Sequence, residues 1–511
     1  MTLRFPIAAA LAMLALSCGG QPPPPAAEPA APKTSESPVA SAAPPEDPLG
    51  PRPMPGAPPA FTPPSPQILE GPAHSRLWLL ERHGLPLVTI AVVVPYGSAS
   101  EQPEKAGLSF VTADMLDEGT KDRDALAFSQ AIHDLGARLS SSADRDASVV
   151  SLEVLTSKLD QALPLLAEAI TRPRHDPKDF ARVKALWINS LRSRAQEPNE
   201  VARVVTAAAF YGPKHPYGHA PDGTLATAAK IDLGDISRWH HTIWRPEAAT
   251  FVVVGDLKAD AAKALLEKSF AGWRAQPGAA LAPVAPAPPP VPKGVVTYVV
   301  DRADAPQVVM SIARSGPPVA DPAYPRLDML NIALGGSFTS RLNQNLREDH
   351  GWSYGVRSRF NAQRGAGMFV VRAAIRADAI TPALHEALGE VTKMQKQGLT
   401  ADELTKLRAL VEGGALETYS TVHSVAGTLA GNAALALSPD QELKNLEAQR
   451  NATAADLGDL ASKYLDLASG IVVLVGPKEL AKSALAENGL PAPQLVDADG
   501  RPAETHPADA H

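Results

Sequence analysis

Side chains able to take a proton, grip a metal or attack a carbonyl are present in this chain, but in unpromising arrangements. Two imidazoles four residues apart share one face of a helix and can hold a single metal ion. The segment "HPYGH" sets His215 and His219 at that spacing, yet Pro216 and Gly218 between them predict a turn. His240 and His241 are adjacent, so a helix points them to different faces, one at the surface and one half-buried. Asp114, Asp117 and Glu118 crowd one predicted helix end and read as a solvated acidic face. The chain contains no Gly-x-Ser-x-Gly elbow and no Gly-x-x-x-x-Gly-Lys phosphate loop, and "VVVGDL" lacks the further glycines of a dinucleotide site.

At 511 residues the chain is long enough for two to four structural units with ample apolar surface to bury. A net charge of −7 and the lack of any Lys/Arg block argue against nucleic acid as a partner. Residues 1–18 carry one early charge, Arg4, then an apolar run from Phe5 to Leu16 too short to span a bilayer, which reads as an export signal. Cys18 is the only cysteine, so no disulfide forms within the chain. Followed by Gly19-Gly20, it resembles a bacterial lipoprotein processing site, which implies lipidation at Cys18 and a membrane-anchored protein of the periplasm or cell envelope. Residues 19–66 are Pro/Ala-rich and read as a disordered, extended tether; residues 276–294 form a second Pro-rich linker, and residues 491–511 a disordered tail.

The linker divides the folded part into halves, 67–275 and 295–490, that echo each other. "IDLGDISRWHHTIWRPEAATFVVVGDL" in the first and "ADLGDLASKYLDLASGIVVLVGPKEL" in the second both run acidic-Leu-Gly-Asp, helix, β-branched strand ending in Gly, helix. "LPLVTIAVVVPYG" and "ASVVSLEVL" read as strands, whereas "SKLDQALPLLAEAI" and "DFARVKALWINSLRSRAQ" carry apolar residues at helical spacing. Pro198 marks the end of the second helix. The expected fold class is α+β: two homologous mixed α/β domains, each with helices on one face of a sheet.

Taken in order, "VPYGSASEQPEKAGLSFVTADMLDEGT", "SQAIHDLGARLSSSADRDASVVSLEVL", "GPKHPYG" and "WRPEAATFVVVGDL" resemble the pitrilysin/insulinase family of zinc peptidases, and more narrowly its processing-peptidase branch. The resemblance covers nearly all of residues 76–489 and implies a chain forming half of a peptidase chamber. Active members carry His-x-x-Glu-His on the helix after the Gly-Leu entry: two imidazoles hold zinc, and the Glu activates a bound water. Aligning Gly107-Leu108 and Met115-Leu116 places Phe110 at the first His, Ala113 at the Glu and Asp114 at the second His. A third ligand, a Glu, is expected near residues 189–191, but no acidic residue lies between Arg182 and Gln196, and Glu197 falls beside the helix end. The second half retains "LGGSFTSRLNQNLREDHGWSYGVRSRF", in which Arg347 and Tyr354 match a family pair that touches substrate near the scissile bond. A guanidinium fork suits a peptide carbonyl, and a Tyr hydroxyl suits a developing oxyanion. Arg341 reads as a structural part of the Gly-rich turn.

The resemblance thus implies a non-catalytic, substrate-orienting subunit with no metal or catalytic residue of its own. Its expected partners are an extended peptide and a homologous subunit that bears the zinc motif. The alternatives are a metal-free peptide-binding or scaffold protein of the same fold, and an active peptidase with a non-standard metal site.

Overall fold

The computed structural model describes residues 61–274 and 281–503. The first half builds a six-stranded sheet from β1 (Gln67–Glu70), β2 (Arg76–Glu81), β3 (Leu87–Val94), β4 (Arg138–Ala143), β5 (Ser148–Leu155) and β6 (Thr250–Gly255), in the order β1-β2-β6-β3-β5-β4. Its helices are α1 (Leu108–Asp114), α2 (Ala125–Asp134), α3 (Leu159–Thr171), α4 (Pro177–Gln196), α5 (Pro198–Tyr211), α6 (Leu225–Lys230), α7 (Leu233–Ile243) and α8 (Ala259–Ser269). Pro198 caps the break between α4 and α5, since it cannot extend the preceding helix but suits the first turn of the next.

The second half repeats the plan with β7 (Val295–Asp301), β8 (Gln307–Ser315), β9 (Ser353–Phe360), β10 (Met368–Arg376), β11 (Gly470–Gly476) and β12 (Gln494–Leu495), in the order β12-β7-β11-β8-β10-β9. Its helices are α9 (Tyr324–Asn331), the single turn α10 (Arg341–Asn343), α11 (Ile380–Gln397), α12 (Ala401–Thr418), α13 (Val422–Ala434), α14 (Gln441–Arg450), α15 (Ala454–Tyr464) and α16 (Lys478–Glu487). Five strands of each sheet correspond, with β2 and β6 parallel as β7 and β11 are and the next three pairs antiparallel; the sixth differs, β1 pairing antiparallel with β2 and β12 parallel with β7. The α+β fold class and the duplication read from the sequence are both present.

One expectation needs correcting. Helices were expected on one face of each sheet, yet β3 and β11 are buried on both faces, as their unbroken apolar text requires. The second face is covered by exchange between the halves. Helix α5 packs Val201, Ala202 and Val205 on Val309, Val370 and Val473 of the second sheet, where Thr206 Oγ1 donates to Ser311 Oγ at 2.9 Å. Helix α13 returns the favour, setting Val425, Ala426 and Leu429 on Trp78, Val93 and Val252 of the first sheet.

The tail also departs from expectation. Residues 491–503 are ordered: β12 pairs parallel with β7, Val496 is buried, and Asp497 accepts hydrogen bonds from the Asp499 and Arg501 amides to close a turn. A two-residue pairing and one Asp turn leave no compositional trace. The linker from Leu281 has no regular structure but is tied down, with Tyr96 Oη donating to Leu281 O at 2.7 Å. Cys18, the export segment, most of the tether and residues 275–280 and 504–511 lie outside the described residues; of the tether's last residues, Phe61 packs on Tyr419 with ring centroids 5.5 Å apart. No described helix is long and apolar enough to cross a membrane.

Candidate functional site

Helix α1 is short and its start is held from outside. Gly107 takes φ +95° to enter it, and a Cβ there would meet Trp187 Cζ2 at 2.6 Å and Asp222 O at 2.9 Å, so both conformation and space require glycine. The orphan amides of the first turn are met by Glu101, whose carboxylate accepts from Gly107 N at 2.9 Å and from Ser109 N. Burial outweighs these bonds and pushes the Glu101 carboxyl up to about 7. Leu108, Val111 and Met115 anchor the helix against Val183, Trp187 and Leu191 of α4.

Into this frame the structure sets Phe110, Ala113 and Asp114. Phe110 lies beside Trp187, ring centroids 6.4 Å apart, which fills one position with hydrocarbon. Ala113 is buried, and its carbonyl accepts from Ser141 Oγ on β4 at 2.8 Å. Asp114 opens onto a cleft of about 350 Å³ whose wall also includes Phe110, Ser141, Trp187 and Ser190. Burial, then the neighbouring Asp117 and Glu118, raise the Asp114 carboxyl to about 6. Of the acidic end, Asp114 and Glu118 are half-buried rather than solvated, whereas Asp117 is exposed; Glu118 is paired with Arg182 of α4. Of residues 189–191, Ser190 faces the cleft, Leu191 is buried and Asn189 accepts from Arg192. Glu197 stands at the α4–α5 junction, outside the cleft.

A zinc ion does not fit these residues. The cleft is lined by three carboxylates, two hydroxyls and two aromatic rings but no imidazole; Glu118 is taken up by Arg182, the three acids are not gathered to hold one metal ion, and Ala113 offers nothing to activate water. The histidines do not replace them. His215 accepts from Tyr217 N at 3.0 Å through Nδ1 and donates to Ala287 O at 2.8 Å through Nε2, so it clips the turn to the linker. His219 donates from Nε2 to Ser98 O at 3.2 Å, and burial holds its pKa below the usual value. His240 is buried and His241 exposed. Among the described residues, no group of three or more His, Cys, Asp or Glu side chains is placed to hold a metal ion.

In the second half the structure brings Arg347 and Tyr354 together. Arg347 lies in a widened helical turn after α10, and its guanidinium carbon sits 3.6 Å from the Phe338 ring centroid and 6.0 Å from that of Tyr354. Phe338, on the Gly-rich turn, is the member sequence reasoning missed; its signal was an exposed aromatic within "GGSFTS". Tyr354 is 94% exposed, so its hydroxyl is free to meet another molecule. Neither Arg347 nor Tyr354 lines the Phe110 cleft. Arg341 is clamped by Glu403 at 2.6 and 2.7 Å and donates to Gly398 O, a structural role.

Two homologous six-stranded units, one presenting a metallopeptidase-type helix without its ligands, define a class: a duplicated peptidase fold with its catalytic centre erased. The comparisons name that class. The pattern described as "Insulinase (Peptidase family M16)" matches residues 78–216, and that described as "Peptidase M16 inactive domain" matches residues 230–411. The chain belongs to the insulinase family, peptidase family M16, as a member lacking the catalytic motif. It is 23% identical over 338 residues to the uncharacterized zinc protease YmxG of Bacillus subtilis, covering 66% of this chain and 80% of that one. It is 24% identical over 180 residues to the non-peptidase homolog YmxG of Helicobacter pylori, covering 35% of this chain and 41% of that one. A crystal structure of a peptidase M16 inactive domain from Pseudomonas fluorescens superposes with a TM-score of 0.75 at 25% identity, covering 81% of this chain and 98% of the other.

Proposed function

We propose that this chain is the non-catalytic, substrate-orienting subunit of a heterodimeric periplasmic zinc metallopeptidase, with zinc carried by a homologous partner and a lipid on Cys18 as its membrane anchor. The observation that carries the reading is the asymmetry of the two sites: Phe110 and Ala113 leave no catalytic centre, while Arg347 and the exposed Tyr354 stay gathered around Phe338. In that role Arg347 orients a peptide carbonyl and Tyr354 donates to the oxyanion formed in the partner's site.

The test is reconstitution with a zinc-bearing relative. Neither chain alone should cleave a quenched peptide, and the mixture should. Arg347→Ala or Tyr354→Phe should lower turnover about 10²- to 10³-fold while size-exclusion chromatography shows the pair intact. Full activity in both variants removes the substrate-orienting role.

A second reading, a metal-free peptide-binding or scaffold protein, draws on a different observation. The outer edge of β4 is bonded to no other strand among the described residues, and such an edge can take an extended peptide by strand addition without cutting it. The non-peptidase name of the Helicobacter pylori relative agrees with either reading.

A further inference from the structure

Five arginines gather where the two halves meet. Arg145 lies in the β4–β5 turn, Arg203 on α5, Arg357 and Arg359 on β9, and Arg372 on β10. In the β9–β10 register Arg357 stands directly opposite Arg372, and Arg359 opposite Val370. Val370 faces α5, so Arg357, Arg359 and Arg372 project on that same face of the sheet. Arg357 and Arg359 are exposed, and Arg372 is half-buried.

Like charges directly opposite on neighbouring strands destabilise a sheet, and a guanidinium withdrawn from water without a partner does so further. Both conditions hold. Burial, then Arg359 and Arg203, lower the Arg372 pKa to about 10; burial lowers that of Arg145 as well, with Arg203 adding to it. The Nε atoms of Arg372 and Arg145 are buried with no hydrogen-bond partner among the described residues. Glu200, the acid that favours the charge on Arg372, is already engaged by Arg203 Nε at 2.7 Å. The fold does not demand this crowding. At the matching strands of the first half, Arg138 stands opposite Glu153, and Ser140 opposite Ser151.

We propose that the Arg357–Arg359–Arg372 cluster is a binding site for the carboxylates of an extended acidic peptide, taken up as an acidic-x-acidic pattern. The proposal rests on the reading that peptides pass Tyr354. That residue lies three positions before Arg357 on the same strand, roughly 10 Å away, and alternate side chains of an extended peptide recur at about 7 Å, the spacing of Arg357 and Arg359 along β9. Strand addition to β9 is not the mode of capture. Asn343 engages both Val356 N, at 2.9 Å, and Val356 O, at 2.8 Å, along the strand's outer side. The anchors are therefore side-chain ion pairs, in which the Arg fork favours a carboxylate.

The experiment uses the purified chain alone, so its outcome is independent of any partner or catalysis. A fluorescein-labelled ten-residue peptide with a central Glu-x-Glu is titrated by anisotropy against its Gln-x-Gln counterpart. The acidic peptide should bind at least about 30-fold more tightly, at roughly five- to sixfold or more per charged contact. Arg357→Gln with Arg359→Gln should erase that preference and leave the chain at least as resistant to urea as before. Equal binding of both peptides, or a preference that survives the double substitution, overturns the proposal. So does displacement of the peptide by an equal concentration of inorganic phosphate, which would assign a general anion site. Failure of the reconstituted peptidase with the acidic preference intact would instead count against the proposed function alone.

Discussion

The two sheets share the order of five strands but treat the outermost of these, β4 and β9, differently. In the first half β4 leaves its outer backbone bonded to nothing among the described residues, beside the helix that once would have carried ligands. In the second half β9 is sealed: Asn343 satisfies Val356, and Asn331 Nδ2 donates to Ser358 O at 2.8 Å while Ser358 Oγ donates back to Asn331 Oδ1 at 2.6 Å. An unpaired edge is an aggregation hazard that proteins blunt unless it has a use. Loss of the metal ligands therefore did not bring the same edge protection to the first half.

The difference is broken most completely by rebuilding the centre. Phe110→His, Ala113→Glu and Asp114→His with Ser190→Glu should take zinc from none to about one equivalent, because Ser190 is the one of residues 189–191 that lines the cleft. The same variant without Ser190→Glu should hold metal far more weakly by equilibrium dialysis. Equal zinc in both would mean the third ligand comes from elsewhere.

Next in size is a pH effect that belongs to the first half, since α1 is capped by Glu101 and α9 begins without a side-chain cap. Burial holds Glu101 at about 7 against an ordinary 4.5, so the folded protein binds that proton more tightly than the unfolded chain. The resulting stability is complete below about pH 4.5 and is lost as pH rises through 7, a fall of order 3 kcal/mol. Asp114, raised to about 6, adds a smaller fall of the same sign at lower pH. Urea midpoints at about pH 5 and pH 8 should differ in the parent and much less in Glu101→Gln; an unchanged difference would reject the assignment.

The smallest effect sharpens the edges themselves. Asn343→Ala strips the partner from two backbone groups of Val356 and should cost about 2 kcal/mol in chemical denaturation. It should also make the variant self-associate in analytical ultracentrifugation. A stable, monomeric variant would show that the asparagine seal is incidental.

The sequence displayed the order of segments more faithfully than their interlocking. Strands at 87–94 and 148–155 and the helix break before Pro198 were legible because branched apolar runs and proline act locally. The repeated Asp-Leu-Gly-Asp was legible but misleading in detail. Asp232 is the N-cap of α7 with Asp235 closing the capping box, whereas Thr453 caps α15 and Asp456 closes the box, so the shared letters sit three residues apart relative to their helices. Glu101, Asn343 and Phe338 stayed hidden because each acts on a backbone group 6 to 13 residues away or through a guanidinium lying over its ring, which no periodicity records. The arginine cluster was invisible for a related reason: Arg203 and Arg372 are neighbours only because α5 crosses to the other sheet.

That crossing makes the chain an internal dimer with its arms traded. Neither half owns all the walls of its own core, so neither is a module that evolution can shed or an experimenter can express by itself. The Pro-rich connector is correspondingly dispensable as a fastener. A protease that severed it would leave two fragments still clasped through α5 and α13, and what reads along the chain as a linker between domains is in three dimensions little more than a seam.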